Sequence, residues 1–272
     1  MKLEIGERSY WYEMYGDGEP IVLLHGFTGS TKTWTNFINT YQGKFKMIVI
    51  DLPGHGKTKT STPVTMEQCC HDIHHILENI GIQTYHLVGY SMGGRTALTY
   101  ATFYQNELKS LILESASPGI ESERERKNRI EHDEKLALKL EEEGLEAFID
   151  YWENIPLFDT QKRLSSNLQM NIREERLSQT VEGLALSLRS MGTGVMPSLW
   201  DTLPSTKIPV LLLVGELDTK FVVINKKMQK SLSNSTLQII NGVGHAIHVE
   251  SETIFGKMVE EFVVKSNTNT NT

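Results

Sequence analysis

What this 272-residue chain has little of narrows its class before any motif is read. It carries only two cysteines, Cys69 and Cys70, and they are adjacent. Neighbouring cysteines pair only under strain, so no disulfide framework is possible and a reducing cytoplasm is the expected compartment. Both fall in a helical pattern and read as packing residues. Positive charge is not in excess: 27 Lys and Arg stand against 34 Asp and Glu, a formal net charge of -7. That removes the electrostatic basis for non-specific attraction to nucleic acid or to an anionic membrane. No apolar run approaches the roughly 20 residues that a bilayer span needs, and no signal peptide opens the chain. His71, His74 and His75 share a helical stretch, but no carboxylate or cysteine pattern completes a metal site around them. Neither metal nor organic cofactor is expected. The oligomeric state is left open.

What is present is a regular alternation. Short unbroken apolar runs at 21–24 and 47–50 have the character of strands buried on both faces, and further largely apolar stretches at 85–88, 108–113 and 208–214 read as strands beside them. Helical patterns lie between them, at 66–80, from 96 onward, and at 221–232. A last strand is expected at 236–240 and a closing helix at 254–264. Such alternation implies crossover connections and a mostly parallel sheet flanked by helices, an α/β fold. From Glu121 the character changes. Residues 121–146 are heavily charged with both signs interleaved, and further helical patterns cover 145–154, 161–171 and 178–191. No strand run returns before Ile208. Residues 120–200 are therefore expected to form a helical cap inserted into a core of residues 1–119 and 201–265. The tail 266–272, alternating Asn and Thr, has nothing to bury and is expected to be disordered.

The chain is organised around Gly-x-Ser-x-Gly at 89–93, placed between a strand and a helix. In that context the motif makes a sharp turn that lifts the Ser91 hydroxyl clear of the sheet. It also leaves the Met92 amide free at a helix N-terminus, where anions bind. Catalytic groups in open parallel sheets gather beyond the carboxyl ends of the strands. Asp218 follows one such end in Gly-Glu-Leu-Asp, and His245 follows another in Gly-Val-Gly-His. The order Ser, acid, His is that of the α/β-hydrolase fold. A serine hydroxyl needs a neutral imidazole to take its proton, and a carboxylate must fix the tautomer of that imidazole. The Phe27 amide, in His25-Gly26-Phe27 after an early strand, converges with that of Met92 on a developing oxyanion. Competing residues have simpler explanations. His248 lies one turn past His245 and is expected to cap the last helix. Glu216 and Glu250 lack the reach of an acid loop. Asp51, His25 and His55 are expected to structure their loops.

Beyond the triad, the sequence resembles along nearly its whole length the 2-succinyl-6-hydroxy-2,4-cyclohexadiene-1-carboxylate (SHCHC) synthase family of menaquinone biosynthesis. The matching pieces are Leu-His-Gly-Phe-Thr-Gly at 24–29, Val-Gly-Tyr-Ser-Met-Gly-Gly-Arg at 88–95 and Ala-Ser-Pro-Gly at 116–119. The cap supplies Trp152, Pro-Leu-Phe at 156–158 and Leu-Arg-Ser-Met-Gly-Thr-Gly-Val-Met-Pro-Ser-Leu-Trp at 188–200. Gly-Glu-Leu-Asp-Thr-Lys-Phe at 215–221 and Gly-His-Ala-Ile-His at 244–248 complete the match. Met196 departs from the pattern, since the family usually has Gln before that proline.

The resemblance implies a carbon–oxygen lyase that eliminates pyruvate from a cyclohexene substrate bearing several carboxylates. Ser91, relaying its proton to His245, then acts as a base rather than as a nucleophile. Such a substrate calls for arginines, which grip carboxylates in bidentate fashion. Arg95, one helical turn after Ser91, is the first candidate. In the cap, Arg129 and Arg176 match the family's substrate arginines best, with Arg124, Arg126 and Arg189 behind them. Arg129 could equally pair with Asp133 along its own helix. Tyr90 is placed to donate its hydroxyl to the substrate. Trp152 either covers the substrate ring or packs the cap on the body. An esterase or carbon–carbon bond hydrolase would use the same triad covalently, and a non-enzymatic binding protein would not need the base and its orienting acid.

Overall fold

A computed structural model describes residues 1–269 of the chain. Its centre is a sheet of nine strands among the described residues, in the order β1-β2-β4-β3-β6-β7-β8-β9, with β5 beside β2. The strands are β1 Lys2–Ile5, β2 Arg8–Tyr15, β3 Glu19–Leu24, β4 Phe45–Ile50, β5 Lys59–Thr60, β6 Tyr85–Tyr90, β7 Leu108–Glu114, β8 Val210–Gly215 and β9 Ser235–Ile240. From β4 to β9 every neighbouring pair is parallel, and β1, β2 and β5 form an antiparallel edge. The alternation of side chains explains why the central strands are apolar throughout. Val22 and Leu24 of β3 face one core layer, and Ile21 and Leu23 face the other. Each layer is closed by helices. On one side lie α2 (Met66–Asn79), α3 (Met92–Tyr104) and α7 (Thr219–Ser231); on the other lie α1 (Thr35–Tyr41) and α9 (Glu252–Asn269). Cys69 and Cys70 are free thiols buried in the first layer, where burial pushes both well above the usual thiol range.

The segment expected as a cap is helical: α4 Glu123–Glu153, α5 Ser166–Leu177 and α6 Val181–Met191, with a 3-10 stretch at Pro156–Arg163. It has its own small core of Leu136, Leu140, Phe148, Leu184 and Leu188. Gly144 breaks α4 with φ 83° and ψ 170°, which separates the charged first part from the apolar second part. The pattern at 161–171 does not form one helix. The 3-10 stretch ends at Arg163, and α5 starts afresh with the Ser165 hydroxyl capping the Leu168 amide. The expected disordered tail also needs correction. The last helix continues to Asn269, and Ser266 is buried with its hydroxyl donating to the Phe262 carbonyl. Its polar side chains are tolerated there because a helix satisfies its own backbone. The rest of that tail, 270–272, lies outside the described residues. No helix among the described residues is long and apolar enough to cross a membrane.

Candidate active site

Ser91 sits between β6 and α3 with φ 51° and ψ -106°, a conformation that surrounding contacts must hold. Its amide donates to the Glu114 carbonyl at 2.9 Å. The turn is possible because glycine flanks it. A Cβ on Gly93 would stand 2.2 Å from the Leu24 carbonyl oxygen, and one on Gly89 would stand 2.3 Å from that of Gly93. The helix therefore starts almost on the backbone of β3, and Ser91 is lifted into the cleft above.

Asp218 follows β8 and His245 follows β9, each on its own loop. The loops converge: His245 Nδ1 is 2.6 Å from Asp218 Oδ2, and His245 Nε2 is 3.0 Å from Ser91 Oγ. All three belong to one chain of hydrogen bonds. The imidazole is buried and packs against Tyr90 and Phe221, with ring centroids at 5.4 and 4.8 Å. The amides of Phe27 and Met92 are bonded to no other group among the described residues. Two donors at the mouth of the elbow, one of them opening a helix, suit a developing oxyanion. His25 and His55 hold the loops beneath. His25 Nε2 accepts from the Leu52 amide at 2.9 Å, while its Nδ1 lies 2.7 Å from the Gly26 carbonyl. Asp51 accepts from the Thr31 and Lys57 amides. Glu250 accepts from Gly244, and Glu216 from Gly242, so these two carboxylates shape the histidine loop. Among the described residues no cluster of three or more His, Cys, Asp or Glu could hold a metal ion.

The profile of the alpha/beta hydrolase fold matches residues 19–252. A Bacillus subtilis protein assigned as a 2-succinyl-6-hydroxy-2,4-cyclohexadiene-1-carboxylate synthase is 42% identical over 248 residues, 90% of either chain. MenH from S. aureus is similar in structure, with a TM-score of 0.91 and 38% identity over 95% of this chain and 98% of its own. A thermophilic esterase from Thermogutta terrifontis gives a TM-score of 0.85 at 26% identity, over 98% and 99%. This chain belongs to the SHCHC synthase family.

As in any member of this fold class, what distinguishes the site lies around the triad. A cavity of about 620 Å³ separates core from cap and is lined by Ser91, His245 and the arginines Arg95 and Arg129. Arg95 is buried, and its Nη1 donates to the Met191 carbonyl at 2.9 Å and meets the Met196 sulfur at 3.4 Å. A thioether is a weak acceptor, so Met196 leaves the guanidinium largely uncommitted. Burial, and then the neighbouring Arg129, push Arg95 down to about 10. Arg129 pairs along its own helix, its Nε donating to Asp133 at 2.7 Å, and the residue also borders the cavity. Trp152 likewise lines the cavity and stacks on Phe148, and its indole N–H is buried without a hydrogen-bond partner among the described residues.

Arg176 is placed differently from the other two. It lines a neighbouring cavity of about 320 Å³, on the far side of a wall formed by Tyr90, Phe27 and Phe158, which border both spaces. Its Nη2 donates to Gln161, and its guanidinium lies over the Phe158 ring. Tyr90 stands between the two cavities, and burial holds its phenol well above the usual range, so it remains a donor. Of the fallback arginines, Arg126 donates to the carbonyls of Gly194 and Met196, and Arg189 is paired with Glu134 and Glu141.

Two residues escaped sequence reasoning. Lys220 lines the cavity from the start of α7, a third cation there after Arg95 and Arg129. His248 does not cap the last helix: both its backbone amide and its ring Nδ1 bond Glu114. Its partner Glu114 ends β7, and nothing in spacing alone pairs it with a residue 134 positions away.

Proposed function

We propose that this chain is the SHCHC synthase of menaquinone biosynthesis, with Ser91, His245 and Asp218 as its base system. The substrate is 2-succinyl-5-enolpyruvyl-6-hydroxy-3-cyclohexene-1-carboxylate. His245 takes the Ser91 proton, and Ser91 oxygen takes the proton at ring C2, next to the succinyl ketone. The electrons of that C–H bond move into the ketone as an enolate, whose oxygen the Phe27 and Met92 amides would hold. The enolate then collapses through the ring double bond, the C–O bond to the enolpyruvyl group breaks, and the departing enolate becomes pyruvate by taking a proton, so that the one held on the His245 imidazolium is given up. No bond forms between serine and substrate. Asp218 stabilises the imidazolium that forms in the first step.

The observation that carries this reading is Arg95. A buried guanidinium with no ion pair among the described residues, 9% exposed and beside the serine, costs stability in the free protein. It is repaid when a carboxylate binds. Arg129 and Lys220 add positive charge to the same cavity, so an anionic substrate suits it. An enzyme of this pathway with two free thiols is expected in the reducing cytoplasm.

One observation favours a second reading: the triad geometry itself is that of a hydrolase, and the Thermogutta terrifontis esterase is similar over nearly the whole chain. The deciding experiment measures pyruvate release from the synthetic enolpyruvyl substrate beside cleavage of a p-nitrophenyl ester. Fast pyruvate release with negligible ester cleavage is expected. Brisk ester cleavage without pyruvate would overturn the lyase reading in favour of the hydrolase.

A further inference from the structure

We infer that Glu114 and His248 form a positioning couple that sets the reach of His245 to Ser91. Ser91 follows β6 and His245 follows β9, with β7 and β8 between them in the sheet. Two loops that far apart need a link to meet within 3.0 Å. Asp218, on the loop after β8, supplies one. Glu114, the last residue of β7, supplies another, and it grips both sides. Its carbonyl accepts the Ser91 amide at 2.9 Å. Its carboxylate accepts the His248 amide at 3.0 Å and lies 2.9 Å from the ring Nδ1 through either oxygen.

His248 is three residues past His245, on the single turn α8 (Ile247–Glu250), so fixing it fixes the histidine loop. Its ring also meets Tyr90 edge-on at 4.5 Å, and Tyr90 in turn packs on His245. Trp34 and Phe255 enclose the other sides. The couple thus touches the elbow, the histidine loop and the wall between the two cavities. Glu114 is fully buried and does not border the cavity with Ser91, so it reaches no reacting atom. Apolar residues of similar volume would hold a core as well as a buried hydrogen-bonded pair, or better. What the pair adds is direction: two donors on one carboxylate define where residue 248, and hence 245, must lie.

The inference rests on Ser91 and His245 acting together, as in the function proposed above. The test uses His248→Ala, His248→Asn and Glu114→Gln in the full chain. An Asn amide can stand where Nδ1 does and donate to Glu114. His248→Ala is expected to lower kcat for pyruvate release by about 10²-fold, the cost of a misplacement near 1 Å. KM should stay within about threefold, because neither Glu114 nor His248 borders the cavity that holds Ser91. His248→Asn should recover most of the loss. A second readout is the rate at which an organofluorophosphonate labels Ser91, followed by intact mass. It needs no pyruvate chemistry, and it should slow and recover in parallel. Thermal melting screens each variant for folding, and Glu114→Gln, which preserves volume, carries the same expectation should His248→Ala not fold. A folded variant lacking the pair that labels Ser91 at the wild-type rate would overturn the inference, as would His248→Asn labelling no faster than His248→Ala. A wild-type protein that labels rapidly but releases no pyruvate would sink the proposed function and leave this inference standing.

Discussion

Arg95 is hard to explain by folding alone. Among the described residues its donors reach a carbonyl and a thioether, and Arg129 is close enough to lower its affinity for a proton. An arginine kept so poorly satisfied fits a site completed by ligand. Arg95→Ala is expected to cost about 2–5 kcal/mol in kcat/KM on the anionic substrate, as when a buried charge loses its partner. Cleavage of a neutral ester, if any is detectable, should change little. Equal effects on both would show that Arg95 supports the elbow rather than the substrate. Ser91→Ala should reduce pyruvate release by about 10⁴-fold with an unchanged melting temperature, as expected when one member of a concerted unit is removed. Substantial turnover in that variant would remove Ser91 from the mechanism. At this scale the candidate catalytic residues were legible because each follows a strand that its apolar run announces. The cap arginines were less so: a charged helix offers several registers, and only packing decides that Arg189 faces Glu134 while Arg129 borders the cavity.

At the scale of elements, the elbow depends on backbone reaching backbone. Gly93→Ala would put a methyl group within 2.5 Å of both the Leu24 and His25 carbonyl oxygens. Neither strand end can retreat, since β3 is paired on both sides. The substitution is expected to destabilise the protein by about 1–3 kcal/mol and to displace Ser91. Denaturant unfolding and Ser91 labelling check the two effects, and wild-type values for both would mean that the helix start can shift without cost. The sequence located most elements within two or three residues because their apolar periods differ so plainly. It misjudged the stretch around Leu164. There 3-10 and α-helical turns meet, and a Ser165 cap, not a change of pattern, starts the next helix.

For the molecule as a whole, the site lies where the sheet meets the inserted helices, and both apolar and polar contacts join them: Phe27 packs edge-on against Phe148 and Trp152. Glu175 of α5 accepts from the Ser30 amide and from the hydroxyls of Ser30 and Thr33 across that boundary. Beneath it lie His25 and His55, fully buried, with burial holding the first down to about 4 and the second to about 3. In the unfolded chain both titrate near 6.5. Between those values the unfolded state binds protons that the folded state refuses, so stability rises with pH. The contribution is fully present above about pH 6.5 and is lost as pH falls toward 3, about 3–5 kcal/mol for each histidine. The melting temperature should therefore fall steeply below about pH 6.5, and His55→Gln should flatten that slope. A variant whose acid slope matches the wild type would show that carboxylates, not these histidines, govern acid unfolding.

By itself the sequence determined the strand order of events: apolar runs of fixed length, a glycine-flanked serine, an acid and a histidine each just beyond a strand. These are local properties, set by period and by which side chains a tight turn admits. The family likeness was local too, a string of short motifs. Only the tertiary structure decided which charges share a space. It placed Arg95 with Ser91 and set Arg176 behind Tyr90. It joined Glu114 to His248 and left the thioether of Met196 against a guanidinium. Those pairings depend on how β6, β7 and β9 stack and how the inserted helices settle on them, and no spacing along the chain encodes a distance across it.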